Sequence, residues 1–224
     1  MPNKTAELVL EWADFEARHP DADIADFCRF RLIQDREKQK DAGFLGGIIP
    51  PTEYAVLAKL IGRISMLLIH YSEAALRECG VRSLTEFLFL NSIGQSGPMR
   101  KTAVIQQNFS ELSTGLLCLD RLKRKGWVSE RSDPSDGRSK LLTLLPKGKD
   151  KLQKCYGQMR KATALFFGHL SEEDVRLCIQ LLSPVDMRFA PLWPEHKDLS
   201  YSEIEERLRP AAFAAAGRGR KGYQ

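Results

Sequence analysis

Between Ser83 and Leu145 the hydrophobic period changes from helical to alternating. Few small architectures accommodate that order. Ser83-Leu84-Thr85-Glu86 has the pattern of a capping box and opens a short helix that Gly94 ends. Met99–Asn108 reads as a second short helix. Ser110 caps a third, ELSTGLLCLDRLKRKG, with Lys123, Arg124 and Lys125 in its last turn, where cations suit the helix dipole. WVSERS and SKLLTLL then alternate on either side of SDPSDGR, which is rich in turn residues. This is the pattern of a β-hairpin with a long tip.

Three short helices followed by a hairpin is the winged helix-turn-helix arrangement. A long helix precedes it. Val56, Leu57, Leu60, Ile61, Ile64, Leu67, Leu68, Tyr71 and Ala75 keep an i, i+3/i+4 spacing from Thr52 to Gly80. At ~1.5 Å per residue this helix spans roughly 40 Å. It overhangs a small domain, so other helices, including those of a second subunit, are needed to cover it. Two helices follow the hairpin, Lys147 to about Gly168 and Ser171 to about Arg188. PLWPEHKDLS reads as irregular, and Ser200 caps a short last helix. The predicted fold class is mainly α with a small β-hairpin wing.

The predicted organisation is an N-terminal helical extension at 1–50, a long dimerisation helix at 51–82 and the winged helix-turn-helix at 83–146. C-terminal dimerisation helices at 147–208 and a basic, disordered tail at 209–224 complete it. In the extension, Leu8, Trp12 and Phe15 share one helix face. Asp21–Lys40 forms a second helix, with Ile24, Phe27 and Phe30 on one side. GFLGGIIPP reads as a linker.

Charge supports a localised polyanion-binding surface. The chain of 224 residues carries a net +5. Met99–Asp150 alone holds 11 basic and 6 acidic residues, whereas Met1–Glu53 holds 7 and 11. A basic middle beside an acidic start suits nucleic acid. No stretch reaches ~18 uninterrupted apolar residues, so no membrane partner is expected. The N-terminus has no secretory pattern. Five scattered cysteines without a CxxC pair point to reduced thiols in the cytoplasm. The four histidines lack metal-ligand spacing, and no nucleophile elbow or phosphate loop is present. Neither an enzyme nor a cofactor or metal is expected.

In the third helix, Leu112, Gly115, Cys118, Leu119 and Leu122 form the stripe expected to be buried. Ser113, Thr114, Leu117 and Arg121 fall opposite, where a major groove would be read. Small hydroxyls there approach base edges or phosphates, and Leu117 can meet only thymine methyls. The hairpin tip carries Arg138 and Lys140. Arg138 suits a narrow minor groove, with Asp136 pairing with it and holding its guanidinium. Lys101 and Thr102 complete the candidate DNA-binding set.

TGLLCLDRLKRKGWVSERSDPSDGRSKLLTLLPKGKDKL resembles the MarR family of bacterial transcriptional regulators, through DRL…KG, DPxDxRS at the wing and LTLxPKG restarting a helix. MRKTAVIQQNFSELSTG resembles one branch of it. The resemblance covers roughly Pro51–Arg188. It implies a homodimer whose two winged domains read a pseudo-palindromic operator, usually as a repressor released by a small-molecule effector. It matches Ser113 and Thr114 to the start of the recognition helix, Asp136 and Arg138 to the wing pair, and Arg121 to an arginine that steadies the helix or touches phosphate. It places an effector pocket near Met66, His70 and Phe87. Asp-Gly-Arg replaces the commoner Asp-Arg-Arg, removing one backbone contact. The acidic N-terminal helices would extend the dimer interface, and the basic tail would add salt-dependent phosphate affinity. The rival readings are a winged-helix module for protein–protein assembly and an enzyme with a winged-helix N-terminal portion, for which little chain remains after the wing.

Overall fold

The computed structural model describes residues 3–37, 44–134 and 136–216, without the side chains of 35–37, 137, 138 and 210–216. Two compact units divide the chain, Met1–Ser65 and Met66–Gln224.

The first unit contains α1 (Lys4–Arg18) and α2 (Ile24–Glu37). Asn3 starts α1 by accepting the Thr5 N–H at 3.1 Å. The predicted aromatic spacing yields a small ring core. Phe15 and Phe27 are buried. Phe15 packs on Phe27 at 5.4 Å and on Phe30 at 5.0 Å, and Trp12 meets Phe27 edge-on at 5.4 Å. Leu8 and Ile24 stay exposed, lining an apolar cleft with Val9, Trp12, Phe27 and Cys28. Within the expected linker, residues 48–50 carry no regular structure and Phe44–Gly47 forms a tight 3-10 turn. Leu45 holds φ 52° there with its side chain buried. Burial of the leucine offsets the strain of a left-handed non-glycine residue.

The second unit begins in α3 (Glu53–Glu78), whose Ser72 and Leu76 are buried. By length and mean hydropathy α3 is the one described helix able to cross a membrane, though no uninterrupted apolar run exists and Lys59 and Arg63 interrupt it. Next come α4 (Leu84–Ser96), β1 (Met99–Arg100), α5 (Lys101–Gln107), α6 (Leu112–Arg124), β2 (Val128–Asp133), β3 (Asp136–Leu144) and α7 (Pro146–Phe167). The sheet order is β1-β3-β2, antiparallel throughout. One core joins Leu76, Phe89, Leu90, Ile93, Val104, Leu119, Leu122, Leu142 and Leu152. The architecture is therefore mainly helical with a small winged sheet, as predicted.

Four expectations are corrected. Met99 and Arg100 are a strand, not the start of a helix, because they pair with Leu142 and Leu141 of β3. The residue preceding α6 is Glu111 rather than Ser110, without a side-chain cap. PLWPEHKDLS is ordered, as a 3-10 turn (Ala190–Leu192) and α9 (Trp193–His196) after α8 (Glu172–Phe189). Both prolines sit in first turns, where no N–H is required. α10 (Tyr201–Ala216) runs past Pro210. The tail residues 217–224, residues 38–40 of the expected second helix and Ser135 at the wing tip lie outside the described residues.

Gly148 in the first turn of α7 shows how tightly the wing and this helix are joined. A Cβ there would stand 2.1 Å from the Trp127 carbonyl oxygen, which already accepts the Leu145 N–H at 3.0 Å. Backbone cannot yield as a side chain does. Gly148→Ala should cost about 3 kcal/mol and lower Tm by ~10 °C, measured by calorimetry.

Candidate nucleic-acid interface

α5, the turn Asn108-Phe109-Ser110 and α6 form the helix-turn-helix. Phe109 takes φ 50°. Asn108 secures the turn, its Nδ2 donating to Ser92 Oγ at 2.9 Å and to the Val104 carbonyl at 2.7 Å. Gly115 sets the spacing of the two helices, since a Cβ there would lie 2.6 Å from Ile105.

Gly115, Cys118, Leu119 and Leu122 are buried, as the stripe predicts, but Leu112 is 50% exposed. It is the first residue of α6 and projects beyond the packed turns. Ser113, Thr114 and Leu117 are exposed, and Leu117 is 61% so. The exposed surface of α6 thus carries Leu112 and Leu116 as well as the predicted Leu117.

Arg121 is held inward. Its Nε donates to Glu86 Oε1 at 3.3 Å, and Lys125 Nζ meets Glu86 Oε2 at 2.8 Å. The Arg82 N–H donates to the same oxygen at 3.0 Å. Glu86 is fully buried. Burial alone would push its carboxyl up. The bonds from Lys125, the Arg82 N–H and Arg121 outweigh that and hold it below the ordinary value. Ser83 Oγ accepts the Glu86 N–H at 3.2 Å, the capping half of the predicted box. The glutamate's carboxylate instead serves α6. Geometry therefore favours the steadying role for Arg121.

A second carboxylate, Glu130 on β2, joins Lys101 at 2.7 Å and Lys123 at 2.8 Å. Burial opposes its ionisation, but these two lysines hold it below the usual range. It links the start of α5 and the end of α6 to the wing. Lys101 is thus engaged within the chain as well as bordering solvent.

Arg100 braces the wing close to its tip, where Asp133 pairs with Asp136. Its Nη2 lies 3.0 Å from the buried Asp133 and 3.6 Å from Asp136, and Ser139 Oγ donates to Asp136 at 2.6 Å. Asp136 therefore belongs to a wider network than the predicted Arg138 pair, while the Arg138 side chain lies outside the described residues. Lys140 is exposed on β3. Arg100, Lys101, Thr102, Ser139 and Lys140 line an open cavity of about 350 Å³. Three cations and two hydroxyls there offer phosphate both charge and donors.

Met66 and His70 lie exposed on α3, with His70 edge-on to Tyr71 at 5.8 Å. Phe87 is buried in the core against Tyr156 at 6.1 Å. Sequence reasoning overlooked Arg100, Glu86 and Glu130. The strand position of Arg100 beside the wing was hidden by reading Met99 as helical.

Residues 83–148 match the sequence profile of the winged helix DNA-binding domain. Among curated proteins, none matches the sequence. Solved structures do. A MarR mutant from Escherichia coli complexed with operator DNA aligns with TM-score 0.54 and 22% identity, covering 58% of this chain and 92% of that one. Apo wild-type MarR from the same organism aligns at 0.53 and 23%, covering 62% and 98%. BpsR of Bordetella bronchiseptica, whose DNA binding is regulated by 6-hydroxynicotinic acid, aligns at 0.55 and 19%, covering 61% and 96%. The fold is that of the winged helix-turn-helix. More narrowly, the resemblance to MarR-type transcriptional regulators holds across most of those chains' length.

Proposed function

We propose that this chain is a sequence-specific, double-stranded-DNA-binding transcriptional regulator of the MarR type, acting in the cytoplasm as a homodimer and as a repressor released by a small-molecule effector. One observation carries the reading. α6 exposes Ser113, Thr114 and Leu117, and the cationic cavity of Arg100, Lys101 and Lys140 runs along the tip half of the wing. Base-reading groups and phosphate-binding groups thus occur on one winged domain. The α3 face bearing Met66 and His70 is where a second subunit and an effector would meet. Effector binding would alter the spacing of the two recognition helices and lower operator affinity by the coupling free energy.

The test is fluorescence anisotropy with the protein's own promoter region at several salt concentrations. A dimer meeting 6–10 phosphates loses about 10³–10⁵ in affinity between 50 and 200 mM salt. Arg138→Ala should weaken binding by ~1–3 kcal/mol per half-site, and Lys140→Ala, which removes one phosphate contact from each subunit, should reduce the salt slope by about 2. A flat salt dependence with both variants unaffected refutes the reading and leaves the protein–protein assembly module.

A further inference from the structure

Cys79 and Cys155 are far apart in sequence, yet their sulfurs stand 3.5 Å apart. Cys79 follows α3 directly, its Sγ donating to the Leu76 carbonyl at 3.1 Å, and is half-buried. Cys155, on α7, is fully buried. Cys79 also lines an open cavity of about 530 Å³ with Gly80, Lys151, Lys154 and Lys161. One thiol of the pair therefore borders solvent and the other is enclosed in the core beside it.

We propose that Cys79 and Cys155 are a redox-modification site at which a hydroperoxide generates an intrachain disulfide. Cys79, as its thiolate, attacks the outer peroxide oxygen. The O–O bond breaks, the leaving alkoxide or hydroxide takes a proton from water, and Cys79 becomes a sulfenic acid. Cys155 sulfur then attacks the Cys79 sulfur. The S–O bond breaks, and the departing hydroxide leaves as water with the Cys155 proton. Two thiols lose two electrons, and the peroxide is reduced to alcohol (or water) and water. The order follows from burial, which pushes the Cys155 thiol up to about 12 and keeps it protonated until it attacks. Closure requires the sulfurs to approach to ~2.05 Å. The resulting loop contains the whole winged domain, so oxidation would tie the end of α3 to α7 around it. The inference rests on the fold alone and is independent of the DNA-binding reading.

The full chain is treated with hydrogen peroxide at low protein concentration, then alkylated, digested without reductant and mapped by mass spectrometry. The expected product is a Cys79–Cys155 linked peptide from monomeric chains on denaturing gels, reversed by dithiothreitol. In Cys155→Ser, a sulfenic acid at Cys79 should accumulate and be trapped by dimedone. Should that variant not fold, Cys79→Ser supplies the control, with Cys155 unmodified. Oxidation confined to the exposed Cys28 and Cys178, cross-links only between chains, or ready oxidation of Cys155 in Cys79→Ser would overturn the proposal.

Discussion

Glu86→Ala is expected to destabilise the winged unit by about 3–5 kcal/mol and to lower DNA affinity with it. The carboxylate is fully buried and receives Arg121, Lys125 and the Arg82 N–H. Removing it strands two half-buried cations and one backbone donor in a space shaped for an anion. Each loss falls on α6 or on the entry to α4. Glu86→Gln keeps the shape and one acceptor, so its cost should be smaller, ~1–3 kcal/mol. Urea denaturation of the two variants gives the comparison. The pH dependence has a definite sign. The folded carboxyl sits below its ordinary 4.5, so the native state binds fewer protons than the unfolded one there. The stabilisation is complete above about 4.5 and is lost as pH falls through the depressed folded value. Glu86→Gln should flatten the acid limb of the stability profile without abolishing it, because Glu130 titrates in the same direction. A cost below 1 kcal/mol for Glu86→Ala would show that this carboxylate does not anchor the reading helix.

The order of elements was legible because periodicity is a property of neighbouring residues. Leu119 and Leu122 fall three apart, and the stripe they define is buried whatever surrounds it. Leu112 broke the rule because a helix's first residue projects past the packed turns. β1 was illegible for another reason: two residues cannot display alternation, and Met99 and Arg100 are strand only because β3 offers them partners. Glu86 illustrates a subtler loss. Its capping-box position explained it locally, so nothing in the sequence asked for the two cations that reach it from 35 and 39 residues away. The Cys79–Cys155 approach is equally non-local, 76 residues apart. Pattern reading recovers what a segment does with itself. Buried charge pairs and thiol contacts depend on which segments meet.

Leu182→Asp combined with Val185→Asp on α8 is expected to yield a monomer whose operator affinity is lower by about 10²–10⁴. α8 has no buried residue. Ile179, Leu181, Leu182, Val185, Met187 and Phe189 are all exposed in one protomer, as are Met66, Leu67 and Ile69 on α3. Apolar groups this numerous on helices are rarely left in water. A second copy of the chain, as proposed, removes them. Two carboxylates placed in such an interface recur on both sides of a two-fold axis, and each costs several kcal/mol to desolvate without a partner. Dissociation then lowers DNA affinity without touching any reading residue. Two linked domains bind the second half-site at the effective concentration set by the first, and separated domains forfeit that factor. Sedimentation velocity gives the oligomeric state and anisotropy gives the affinity, on the same preparation. A monomer that bound the operator undiminished would mean each winged domain reads its half-site alone, and a variant that stayed dimeric would place the interface elsewhere. Because the Ser113–Leu117 face is unaltered in either case, the two measurements separate assembly from recognition.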